Sequence, residues 1–201
     1  MRISVNDEMH ASLEADIVAH VESMGGYVAK AGYHDVMPDT ITKALQVMDD
    51  ETSMYIRCRK DMVAVFPGSM AILVDAKTRP QPHDNGAKDL LIEARPLAHA
   101  IILSRVGVCT VFCCRMTDID FGFVANDQIG TEIRDVSFPS FRHNQESVLS
   151  LEHLLATIYP NAQFGICGGG GSGDPFCVIG RTIIQKSSHW KETIELIKAQ
   201  V

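Results

Sequence analysis

Two apolar runs, residues 61–66 and 70–76, are separated only by Pro67-Gly68-Ser69. So short a connection allows an antiparallel hairpin and rules out a parallel crossover. Both runs are rich in β-branched and aromatic residues, as strands require. With Phe66 facing Met70, every facing pair of residue numbers has the same sum, and Asp61 falls directly across from Asp75. Lys77, two residues beyond Asp75, projects from the same face. Directly opposed cross-strand residues have Cβ atoms roughly 4.5–5.5 Å apart, where like charges repel. Val74 and Ala76 enclose Asp75, so its carboxylate lies at a buried strand end, where an unpartnered charge is costly. A divalent cation between the two carboxylates converts repulsion into ligation, and hard oxygen donors suit Mg²⁺. A register shifted by one residue would instead send the aspartates to opposite faces, as solvated strand ends with Lys77 a surface charge.

What precedes the hairpin reads as a helix and a strand. Asn6, followed by Asp7 and Glu8, caps a helix through Met24 with an acidic first turn. Leu13, Ile17, Val21 and Met24 recur at helical spacing, Gly25-Gly26 ends the run, and Tyr27–Lys30 forms a short strand. In order, then, the chain offers a helix bearing Glu14, a strand, Asp61, a turn, and Asp75-Ala76-Lys77. That order resembles the PD-(D/E)xK nuclease superfamily and, within it, the archaeal Holliday-junction resolvase type. The resemblance spans residues 9–115 and departs in two places. Lys60 stands where the family has proline, and a long insert separates Val28 from Tyr55.

The resemblance implies an α/β fold, a restriction-endonuclease-like core whose mixed central sheet is flanked by helices, with a C-terminal α+β extension. The expectation is one domain over 1–201, with its core at 6–125 and the extension at 126–201. It further implies phosphodiester hydrolysis on DNA, branched or structured, by a homodimer using Mg²⁺ or Mn²⁺. Asp61, Asp75 and the carbonyl of Ala76 would hold the metal. Lys77 would orient the attacking water or stabilise developing charge, and Glu14 would support the site. Asp16 is a competing acid on the same helix. Glu93 and His99 fall where related nucleases place an auxiliary polar residue. The bland readings are surface charge for Glu14 and Glu93 and a packing role for His99.

Composition constrains the partners. A net charge of −7 opposes broad attraction to nucleic acid, which depends on neutralising phosphates. The cations are local, however. Arg57, Arg59 and Lys60 precede Asp61, and Arg79 follows Lys77, which gives a set of expected phosphate contacts. At 46% apolar and 21% charged the chain is ordinary for a globular protein, which excludes general disorder. No apolar run spans a bilayer, and the polar, acidic start is wrong for a signal peptide, so no membrane association and a cytoplasmic, prokaryotic or viral setting are expected. Six cysteines show neither a CxxC pair nor zinc-ligand spacing and read as reduced, largely buried thiols.

The remainder maps coarsely. Asp39 caps a small helix at 40–48 within the insert, and residues 55–59 extend the sheet. Turn formers fill 78–86, residues 87–106 read as a helix kinked by Pro96, and 108–115 and 121–125 read as strands. An amphipathic helix covers 147–158 through Val148, Leu151, Leu154, Leu155 and Ile158, and Trp190, Ile194 and Ile197 mark a final helix. Gly168–Gly173 has phosphate-loop spacing, but Asp174 stands where the lysine is needed, so a hairpin tip between strands 162–167 and 176–184 fits better. Alternatives to a nuclease are a catalytically inactive nuclease-fold module that binds nucleic acid or a partner protein, an acidic inhibitor, and a small-molecule enzyme using the glycine loop.

Overall fold

The hairpin forms in the anticipated register. The computed structural model describes residues 5–32, 37–38, 40–41, 59–68, 70–79, 90–139, 145–167 and 174–200. Helix α1 (Val5–Ser23) leads to strand β1 (Tyr27–Lys30), which pairs antiparallel with β2 (Met62–Phe66). Strand β3 (Met70–Arg79) pairs antiparallel with β2, Phe66 facing Met70 and Met62 facing Val74. Gly68 supplies the positive φ, 75°, that the turn demands and that a Cβ would disfavour.

After β4 (Leu90–Glu93) and helix α2 (Ala94–Ser104), the chain returns as β5 (Thr110–Met116), parallel to β3. A parallel pair needs such a crossover. Strand β6 (Asp120–Val124) closes a five-stranded mixed sheet of order β1-β2-β3-β5-β6. Helix α3 (Asp127–Glu132), capped by the Asn126 side chain, leads to β7 (Asp135–Pro139), α4 (Gln145–Ala156) and β8 (Gln163–Cys167). Strand β9 (Phe176–Ile179) and helices α5 (Arg181–Lys186) and α6 (Trp190–Ala199) follow. A second, four-stranded sheet has the order β4-β9-β7-β8.

Alternation along β2 and β3 decides the layers. Met62, Ala64, Phe66, Ile72, Val74 and Ala76 point to one face, where Leu13, Ile17 and Val21 of α1 and Trp190, Ile194 and Ile197 of α6 cover them. The opposite face, through Phe112 and Cys114 of β5, packs on Leu97 and Ile101 of α2 and on Ile92, Phe138 and Ile179 of the second sheet. The molecule is thus mixed α/β, with a mixed central sheet flanked by helices. The segment after residue 125 is interleaved with what precedes it. Strand β4 belongs to the second sheet, and α6 returns to cover the first.

Several expectations change. Strand β3 continues through Arg79, because residues 77–79 find partners in Cys114, Arg115 and Met116. Residues 90–93 are a strand, and the helix starts only at Ala94. Pro96 therefore sits in the first turn, where its missing N–H costs nothing, and it does not kink the helix. Strands β8 and β9 are not a hairpin, since β7 lies between them, and 181–186 is helical. Leu154 is mostly exposed, while Leu155 and Ile158 are buried. The helix expected at 40–48, the sheet extension at 55–59 and the Gly168–Gly173 run lie largely or wholly outside the described residues. Cys113, Cys114 and Cys177 are buried free thiols, as expected. Among the described residues no helix is long and apolar enough to cross a membrane.

Candidate active site

Asp61 is the residue just before β2, one step beyond the last ladder pair, in the same register that sets Met62 against Val74. Its Oδ2 accepts a hydrogen bond of 2.7 Å from the backbone N–H of Ala76, which fixes the side chain against the strand that carries Asp75. Asp75 is only 2% exposed. Its Oδ1 lies 2.8 Å from Lys77 Nζ and its Oδ2 lies 3.2 Å from Lys60 Nζ. The hairpin register therefore brings Asp61, Asp75 and Lys77 together at one strand end.

Other elements complete the cluster. Glu93, at the end of β4, has a carboxylate oxygen 3.7 Å from Lys77 Nζ. Glu14, largely shielded on α1, is close enough for its charge to act on Asp61, and it accepts a 2.8 Å hydrogen bond from Lys30 at the end of β1. Asp16, the competing acid, is instead paired with Arg115 at 2.9 Å, in a network where Arg115 also holds Asp120. That separates the two helix acids: Glu14 faces the cluster, and Asp16 fastens α1 to β5. His99 of α2 feels the Lys60 charge, and its pKa is lowered mainly by burial and then by that charge.

The electrostatics of the two aspartates diverge. Burial first, then the charge of Asp75, pushes the Asp61 carboxyl up to about 7, against partial relief from Lys77 and the Ala76 N–H. Burial would also raise Asp75, but Lys77 and Lys60 together bring it below the ordinary carboxylate value. Lys77 loses some stability as a cation by burial and regains more from Asp75, Glu93 and Asp61, so its pKa rises. A lysine so placed stays charged. It can stabilise negative charge or orient a water, but it cannot serve as a base near neutrality.

The expected phosphate contacts fall out unequally. Arg59 is exposed and Arg79, at the end of β3, is half-buried. Arg57 lies outside the described residues. Lys60 is 3% exposed and its Nζ donates to the carbonyl of Pro96 at 2.7 Å, so it points inward and cannot meet a phosphate at the surface. Sequence reasoning missed this inward role and the Lys30–Glu14 pair.

The donor set can be tested against a divalent cation. Among the described residues no three His, Cys, Asp or Glu side chains converge as a metal group. Two carboxylates, a backbone carbonyl and waters are nevertheless an ordinary complement for Mg²⁺, which retains several waters. Asp75 Oδ1 is the telling atom, since it is buried without a hydrogen bond among the described residues, 2.8 Å from the Lys77 ammonium and on the strand whose Ala76 N–H holds Asp61. The residues fit.

Fold and cluster together define a mixed α/β protein with a carboxylate–lysine site at the end of its central hairpin. No protein-family model matches the chain, and no curated protein matches it. Among solved structures it is similar to Hjc, a Holliday junction resolvase from the archaeal hyperthermophile Archaeoglobus fulgidus. The TM-score is 0.46 and the sequence identity 10%, over 92% of this chain and 98% of that one.

Proposed function

We propose that the chain is a metal-dependent DNA endonuclease acting on branched or structured DNA, in the manner of the resolvase-type nucleases its motif order resembles. The observation that carries this reading is the meeting of Asp61, fixed by the Ala76 N–H at 2.7 Å, with Asp75 and its partner Lys77 at 2.8 Å. Asp61, Asp75 and the Ala76 carbonyl would hold Mg²⁺ or Mn²⁺. When bound, such an ion acidifies water and neutralises charge on a phosphoryl group. The protein's own part follows from its geometry. The pair of buried Asp75 and part-exposed Lys77 sets an ammonium beside the carboxylates, where it orients a nucleophilic water and stabilises the extra negative charge of the pentacovalent state. Glu93 and Glu14 hold Lys77 and Lys30 in place around the site. Arg59 and Arg79, with Arg57, would contact the backbone phosphates. A homodimer supplies two such sites for two strands.

The test is nicking of a four-way junction and of duplex DNA with Mg²⁺ or Mn²⁺. Lys77→Ala should cut at least about 100-fold more slowly while binding DNA as before. One observation favours a second reading, a nuclease-fold module that binds without cutting: both oxygens of Asp75 are already engaged by ammonium groups. In that case DNA mobility shifts with no product, and Lys77→Ala changes nothing.

A further inference from the structure

The ammonium of Lys60 is a charge the nuclease reading does not use. It is buried beneath the site, bonded to the Pro96 carbonyl at 2.7 Å, 3.2 Å from Asp75 Oδ2 and 5.0 Å from the centre of the Phe112 ring. Burying a lysine is expensive unless a partner compensates, and here Asp75 supplies the compensation. Asp75 has no such need of Lys60, because Lys77 already neutralises it from the other oxygen at 2.8 Å. The result is a candidate ligand with one more cation than its charge requires.

We propose that Lys60 is an internal counter-cation that competes with the divalent ion for Asp75 and thereby sets how weakly this site holds its metal. The proposal rests on the nuclease reading and deepens it. Lys60 is a positioning residue, acting through Asp75 and touching no substrate. Its charge opposes metal entry in two ways. It occupies Oδ2, and it adds a third ammonium to a cluster in which Lys30 and Lys77 face Glu14, Asp61, Asp75 and Glu93. Linkage makes the effect reciprocal, so whatever Lys60 takes from metal affinity, the metal takes from the Lys60–Asp75 pair. A purely structural lysine predicts the opposite, since removing it would loosen Asp75 and weaken the metal.

Calorimetric titration of the full chain with Mn²⁺ alone separates these outcomes. Lys60→Gln keeps a donor for the Pro96 carbonyl without the charge, and Lys60→Met keeps the shape. Tighter Mn²⁺ binding in either folded variant, by about tenfold or more, supports the proposal, with Lys60→Arg staying near the wild type. Equal or weaker binding overturns it and leaves the nuclease reading standing. No Mn²⁺ binding by any form overturns both. Should the neutral variants not fold, the wild-type chain still decides. Protected lysine ¹⁵Nζ resonances, assigned with Lys77→Met, are followed during Mg²⁺ titration. Movement of the Lys60 signal on saturation supports the competition, and a Lys60 signal unmoved at saturation overturns it.

Discussion

At the scale of single residues, two carboxylates of the same type, brought to one strand end, hold opposite consequences for stability. In the unfolded chain Asp61 titrates near 3.8, and in the fold it is held up to about 7 by burial and by Asp75. Below about pH 4 both states carry the proton and no penalty arises. Between about pH 4 and pH 7 the unfolded chain ionises first, so stability falls across that window and levels off above it. An amide in place of this carboxyl would still accept the Ala76 N–H. Asp61→Asn in EDTA should therefore gain about 1–3 kcal/mol at pH 8 and nothing at pH 4, measured by urea denaturation. Asp75 has the reverse sign. Its lysines hold its pKa down, so its contribution is present above the unfolded value and lost as pH falls through the folded one. Asp75→Asn should cost about 3–5 kcal/mol at neutral pH, because Lys60 is left buried with no countercharge. Both aspartates were legible in the sequence, since a three-residue turn sets the register and the register sets the facing pair. Lys60 was not, because its position next to Asp61 says nothing about which way a long flexible side chain turns.

Among elements, the legible ones were those whose pattern had a single solution. Helix α1, the β2–β3 hairpin, β5, β6 and α6 each show a clear period and a clear stop. The misreadings share one cause, apolar runs too short for their period to separate helix from strand. Leu90-Leu91-Ile92 continues smoothly into the helix formers that follow, and only pairing with β9 makes it a strand. Ile183 and Ile184 look like strand residues, yet both are buried in a two-turn helix after Gly180. Long-range partners decide such segments, and a single sequence does not name them. Where α6 crosses the sheet, the contact is tight enough to predict from. A Cβ on Gly122 of β6 would lie 2.7 Å from the Trp190 Cα, a backbone atom of a fully buried residue whose indole N–H donates to Asp120 at 3.0 Å. Gly122→Ala should lift the start of α6 and cost about 2–3 kcal/mol. A lower melting temperature together with red-shifted Trp190 fluorescence would register it, and an unchanged melt would show that the helix can shift freely.

For the whole molecule, the governing fact is a net charge of −7 on a chain proposed to bind a polyanion. A protein that neutralises many phosphates releases many counterions, and its affinity falls steeply with salt. Among the described residues, the lysines nearest the proposed site are already engaged. Lys60 is turned inward, Lys77 is committed to Asp75 and Glu93, and Lys30 to Glu14. The phosphate contacts proposed for the site are Arg57, Arg59 and Arg79. If these contacts neutralise about three phosphates per chain, the slope of log affinity against log salt should be about −3 per chain on duplex DNA, using Ca²⁺ to permit binding without turnover. Fluorescence anisotropy between about 50 and 300 mM salt, the range in which such slopes are read, gives the number directly. Arg59→Ala should flatten the slope by about one and weaken all DNA sequences alike, as a backbone contact does. A slope of about −7 or steeper per chain would mean that DNA is held on some other surface. The strand-end cluster would then be a carboxylate–lysine site without its substrate, and the endonuclease reading would lose its geometry.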